Sequence, residues 1–94
     1  MPYYRLVYHI VWSTYKRLPL INEHNRDTIH KIIVTKIGEC QGIVHAINSM
    51  PDHIHIVATI PPSIALAALI GQLKGSTSFQ VARLSSTEFR WQAE

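Results

Sequence analysis

The feature that most constrains this chain is the stretch Asn48-Ser49-Met50-Pro51-Asp52-His53-Ile54-His55-Ile56-Val57-Ala58-Thr59-Ile60. Met50-Pro51-Asp52 reads as a tight turn, and the run after it is rich in β-branched residues and free of glycine, so it predicts a strand that Pro61-Pro62 stops. A period of two places Ile54, Ile56 and Ala58 on one face and His53 and His55 on the other. Two imidazoles then stand side by side above a floor made by the hydrophobic core.

The flanking segments supply the rest of a sheet. Ile43 to Asn48 is a short strand, and the turn joins it to the histidine strand as an antiparallel hairpin. Residues 3–14 form a long first strand, with Leu6, Tyr8, Ile10 and Trp12 on one face and Arg5, Val7, His9 and Val11 on the other, and both faces look largely covered. Tyr15-Lys16-Arg17-Leu18-Pro19 is a basic connection. Asn22 is positioned to cap a helix that runs to about Gln41, with Gly42 placed to end it and a stripe of Ile29, Ile32, Ile33, Ile37 and Cys40. A second helix, capped by Ser63, carries Leu66, Leu69, Ile70, Leu73, Thr77, Val81 and Leu84. Gly71 and Gly75 each cost it roughly 1 kcal/mol against alanine, which predicts a bend or break near Lys74-Gly75-Ser76. The tail Phe89-Arg90-Trp91-Gln92 begins an extended segment. The order strand, helix, strand, strand, helix and the start of a strand is that of a ferredoxin-like α+β sandwich, an antiparallel sheet with two helices on one face. The histidines then project from the open face.

Ninety-four residues make a single domain, 1–94. No segment approaches the ~20 unbroken apolar residues of a membrane span, and the amino end lacks the pattern of a signal peptide. With one cysteine, Cys40, there is no internal disulfide, and a cytoplasmic location is expected. A net charge of +3 and a pI near 9.3 suit a polyanionic partner without requiring one.

A His-x-His pair on a strand suits a divalent transition metal, yet two ligands do not complete a usual coordination set; solvated or hydrogen-bonded histidines fit the same pattern. His9 lies beside the pair only if the first strand neighbours the histidine strand with matching parity. His45, on the hairpin partner, reads as a solvated or core-edge histidine, His24 and His30 as solvent-facing, and Cys40 as core. Asp52 either orients an imidazole from behind or serves as a turn residue. Lys74, next to Gly75-Ser76-Thr77-Ser78, can meet a phosphate or simply be solvated. No glycine-rich phosphate loop, CxxC pair or GxSxG elbow is present.

The segment Met50-Pro51-Asp52-His53-Ile54-His55-Ile56 resembles the motif of the single-tyrosine HUH transposases of small insertion sequences. Tyr8-His9-Ile10-Val11-Trp12-Ser13-Thr14 with Lys16-Arg17 resembles that family's first strand and basic turn. Leu73-Lys74-Gly75-Ser76-Thr77-Ser78 resembles its second-helix signature, and Phe89-Arg90-Trp91-Gln92 its approach to the last strand. The resemblance implies nicking and joining of single-stranded or hairpin DNA at element ends through a phosphotyrosine. It also implies a divalent metal, Mg or Mn, on His53 and His55, Asp52 behind the ligands, and a homodimer. Lys16, Arg17 and Lys74 become the candidate DNA contacts. In that family a further strand and helix follow the Trp-Gln segment and carry the nucleophilic tyrosine with a third metal ligand. The tyrosines here are Tyr3, Tyr4, Tyr8 and Tyr15, and none matches that nucleophile. The expectation is therefore a carboxyl-terminally truncated transposase domain, inactive alone, or else a non-catalytic DNA-binding or dimerising remnant that modulates a full-length transposase.

Overall fold

The computed structural model describes residues 6–84 and 88–93. The hairpin forms as its sequence requires: β2 (Ile43–Met50) pairs antiparallel with β3 (His53–Ile60), leaving Pro51-Asp52 as a two-residue connection. On its other edge β3 pairs antiparallel with β1 (Leu6–Ser13), giving the sheet order β1-β3-β2. β3 is therefore the central strand. Its burial alternates along its full length, with Ile54, Ile56, Ala58 and Ile60 at 0 to 1% exposure and the residues between them half-buried.

Two helices, α1 (Arg26–Glu39) and α2 (Leu66–Leu84), cover the isoleucine face. Ile29, Ile33 and Ile37 of α1 and Leu69, Leu73, Thr77 and Val81 of α2 are the buried stripes, spaced by four so that each falls on one side of its helix. The result is the ferredoxin-like α+β sandwich expected from the element order. Pairing of the tail adds to it: Trp91 bridges Thr14 on the outer side of β1, and the Gln92 N–H donates to the Ser13 carbonyl at 2.9 Å. Phe89 and Trp91 seal that edge of the core, with Trp91 edge-on to Trp12 at 5.6 Å and its indole N–H donating to Thr77 Oγ1 at 2.8 Å.

Several local expectations need correction. α2 runs without a break across Gly71 and Gly75, because both lie on its exposed side and nothing packs within 4 Å of either position. The propensity cost is real, but burial of the opposite stripe outweighs it. Ser63 is not the cap; α2 begins at Leu66, with the Leu69 N–H bonded to the Ala65 carbonyl. Leu84 is 62% exposed and lies outside the buried stripe. β1 is covered on one face only, since Val7 and Val11 are 53 and 61% exposed. Residues 3–5 of the expected first strand lie outside the described residues.

At the start of α1 the capping chemistry is one turn earlier than the regular helix. Asn22 Oδ1 accepts from the His24 and Asn25 N–H groups, and Asn25 Oδ1 accepts in return from the Asn22 N–H, a reciprocal box around the turn that leads into Arg26. At the other end the left-handed residue is Gln41 (φ 67°), not Gly42. The Gly42 N–H reaches the Ile37 carbonyl and the Gln41 N–H the Gly38 carbonyl, which is the Schellman pattern. Gly42 is needed for space: a Cβ there would stand 2.8 Å from the Thr59 carbonyl oxygen and 2.7 Å from Ile37 Cγ2. Substituting Gly42→Ala should therefore lower stability by about 1–3 kcal/mol through overpacking against the β3 backbone. Gln41→Gly should raise it by about 0.5–1 kcal/mol by removing a Cβ from a left-handed position. Urea unfolding of the two variants checks the opposite signs.

Candidate metal and nucleic-acid site

The open face of the sheet holds His53 and His55, both half-buried. The register sets their neighbours: His53 lies opposite Ser13 of β1 and Met50 of β2, and His55 lies between Val11 and Asn48. His9 shares the face, with its ring centroid 5.9 Å from that of His55, because β1 is a neighbour of β3 and the parity matches. The strand adjacency on which that depended is visible only in the fold.

Asp52 carries the geometry behind the pair. Its Oδ1 is 2.8 Å from His53 Nδ1. An ionised carboxylate only accepts, so in the neutral ring Nδ1 holds the proton and Nε2 keeps its lone pair. The other oxygen, Oδ2, accepts from Arg17 Nε at 3.2 Å and lies 3.1 Å from the second guanidinium nitrogen, NH2. The His53 hydrogen bond, followed by Arg17, holds the Asp52 carboxyl below its ordinary value.

The Asp52 main chain is tied down as well. Its carbonyl accepts from the Thr14 N–H at 2.9 Å, and the Pro51 carbonyl accepts from the Ile21 N–H at 3.0 Å. Thr14 is completely buried, and its hydroxyl donates to the Leu18 carbonyl at 2.6 Å. Between them, the 3-10 turn Tyr15–Arg17 holds two successive residues in the left-handed region, Lys16 at φ 51° and Arg17 at φ 55°. Such a position costs a residue with a side chain about 1–2 kcal/mol, so the surrounding bonds must hold it. One of them is the Lys16 N–H to Gln92 Oε1 at 2.8 Å.

Beside His53, around the edge of β1, lies a surface cleft of about 410 Å³ that brings together Arg17, His53, Lys74 and Gln92 over Ile10, Trp12 and Ile70. Each candidate DNA contact has a partner within the chain. Arg17 is on Asp52, Lys74 Nζ donates to the Gln92 carbonyl at 2.7 Å, and Lys16 Nζ sits 5.3 Å from the Tyr15 ring centroid. The Arg90 guanidinium lies over the Tyr15 ring, 4.1 Å from its centroid. Tyr15 is consequently half-buried, and Tyr8 turns toward the core. Tyr3 and Tyr4 lie outside the described residues.

Two imidazoles on one face, one of them backed by a carboxylate, are a donor set that fits a divalent metal ion. Among the described residues no three His, Cys, Asp or Glu side chains converge on one point, so the pair alone would not complete a usual coordination sphere. Of the remaining histidines, His24 is exposed and His45 meets Thr59 Oγ1 at 2.6 Å on the open face. No helix among the described residues is long and apolar enough to cross a membrane.

Residues 2–93 match the family model described as "Transposase IS200 like". The chain belongs to the IS200-like transposase family. A structure from Deinococcus radiodurans R1, provisionally described as a transposase, shares the fold with a TM-score of 0.89 at 19% identity, over 99% of this chain and 77% of that one. A REP-associated tyrosine transposase bound to a REP hairpin superposes with a TM-score of 0.70 at 13% identity over all of this chain, which spans 57% of its length. No curated protein sequence matches the chain. The likeness to these structures is one of fold; the family assignment rests on the sequence match.

His30 departs from the solvent-facing expectation, since it is half-buried between α1 and β2 with Nε2 3.0 Å from Ser49 Oγ. Burial lowers its pKa from 6.5, Asp27 opposes that effect and Arg26 adds to it. The neutral ring is the form the fold prefers. Its contribution is complete above pH 6.5, declines as pH falls below that value, and is gone once pH is beneath the lowered folded value. The stability lost between pH 7.5 and 5.5, by urea unfolding, should be smaller in His30→Gln than in the parent chain.

Proposed function

We propose that this IS200-like transposase domain contributes the metal-binding half of a site that nicks and rejoins single-stranded DNA. His53 and His55 are the residues that hold the metal, Mg or Mn. A divalent metal bound there supplies Lewis-acid polarisation of a phosphate oxygen. Asp52 keeps the His53 ring in the tautomer whose Nε2 can donate a lone pair, and the half-burial of both rings limits competition from water. The observation that carries this reading is the His53–Asp52 contact on a face where His55 stands two residues away.

The partner is DNA, single-stranded or folded as a hairpin, with its backbone meeting the basic turn at Lys16-Arg17 and the cleft at Lys74. Net charge of +3 and the basic side chains around the cleft favour phosphate, and the hairpin bound by the REP-associated neighbour supports the same class of ligand. The 94-residue chain forms one domain that does not cleave by itself. Tyr8 packs toward the core and Arg90 lies over the face of the Tyr15 ring, and neither matches the place of the family's nucleophilic tyrosine, which follows the Trp-Gln segment. Homodimerisation, and the second reading of a non-catalytic remnant that modulates an intact transposase, draw support from one observation. Beyond the bridge at Thr14–Trp91, the outer edge of β1 pairs with no described strand, and an open edge invites another chain.

With Mn²⁺ and single-stranded element-end DNA, the chain should yield no covalent protein–DNA adduct on a denaturing gel, and an adduct would overturn the assignment of the tyrosines. Calorimetric titration with Mn²⁺ alone should show binding that the double variant His53→Ala, His55→Ala abolishes. Binding that survives in that variant would remove the histidines from the site.

A further inference from the structure

Arg17 belongs, by its place in the basic turn, with the side chains that meet a DNA phosphate. Its geometry argues for another duty. Both Nε and NH2 are directed to one carboxylate oxygen, Asp52 Oδ2, which leaves Oδ1 for His53 Nδ1 at 2.8 Å. Arg17, Asp52 and His53 thus form a continuous chain of charge-assisted contacts that ends at the ring expected to hold the metal.

An exposed arginine–aspartate pair usually does little, and the Arg17 side chain is 63% exposed. What separates this pair from an ordinary surface contact is the backbone beneath it. Arg17 is delivered by a turn with two successive left-handed residues, a conformation held by the Arg17 N–H to the Thr14 carbonyl and by the Lys16 N–H to Gln92 Oε1. Thr14 also donates its own N–H to the Asp52 carbonyl. One fully buried residue therefore sets both ends of the Arg17–Asp52 contact, and neither partner has to find the other from a freely moving loop. Gln92 links the same turn to the tail and, through its carbonyl, to Lys74.

We infer that Arg17 is a positioning residue which, through Asp52, holds the His53 imidazole in a single tautomer and orientation for metal binding. The inference rests on the ligand assignment of His53 proposed above. It assigns to Arg17 a role that DNA need not be present to reveal.

Two measurements test it on the full chain. In metal-free protein above about pH 8, where an ordinary imidazole is neutral, ¹⁵N-edited spectra should show His53 as the Nδ1–H tautomer. Arg17→Gln should shift it toward a mixture, and Arg17→Lys, which keeps the charge without the fork, should fall between the two. An unchanged tautomer in Arg17→Gln, in a protein whose amide spectrum is otherwise native, overturns the inference. Without DNA, Mn²⁺ affinity should drop by roughly tenfold in Arg17→Gln. In an Asp52→Asn background the same substitution should have little further effect, because the two act as one unit. Equal losses in both backgrounds, or an unaltered affinity in Arg17→Gln, would leave Arg17 as a phosphate contact only. Failure of the parent chain to bind Mn²⁺ would instead overturn the ligand assignment, and the tautomer spectra would still decide the place of Arg17.

Discussion

The structure depends on β3 being paired on both edges. A strand bonded only to β2 would form an isolated hairpin, which is marginal in water. Bonded to β1 as well, it is central, and its two faces acquire opposite fates: isoleucines sealed under the helices, histidines and their neighbours on the open side. The register that buries Ile54 and Ile56 is also the one that sets His55 opposite Val11 and His53 opposite Ser13. A slip of one residue would bury imidazoles and expose isoleucines, so core packing and site geometry are held by a single constraint.

The site is built from that strand outward. β3 presents the rings, the Pro51-Asp52 connection places a carboxylate behind the first of them, and the turn after β1 brings a guanidinium to the carboxylate. The tail returns to β1 and joins the same turn through Gln92, while Trp91 locks into the core through Thr77. Contacts from four separate segments thus converge on a small region beside the cleft. A chain of this length has a limited core, and much of its local order near the site comes from hydrogen bonds to buried Thr14 and Thr77, whose hydroxyls are both satisfied.

The Met-Pro-Asp-His-Ile-His segment lies inside the span that matches the IS200-like family, and the geometry adds what a motif cannot. In the motif Asp52 is a neighbour of His53. In space it is shared between His53 and Arg17, 35 residues away in sequence. Basic residues that look like free phosphate contacts in a linear reading all have intramolecular partners, and DNA would have to share or displace them.

Element order, the alternation of β3, the hairpin and the two helical stripes were all legible from sequence, because each depends on residues a few positions apart. The capping chemistry at Asn22 was legible too, though the regular helix starts later. Other features were decided only by tertiary structure. Gly42 looked like a left-handed helix end, but it is the close approach of Thr59 that demands glycine there, while Gln41 takes the positive φ. Gly71 and Gly75 looked like a break, yet burial of the opposite stripe keeps α2 whole. The placement of His9 by His55, the burial of His30 against Ser49 and the Arg17–Asp52–His53 chain join segments far apart in sequence. Periodicity assigns a residue to a face of its own element, but which elements become neighbours is settled by the packing of the whole core. The histidine pair and the carboxylate next to it could be found in the sequence, and the guanidinium that reaches that carboxylate from 35 residues away could be found only in the fold.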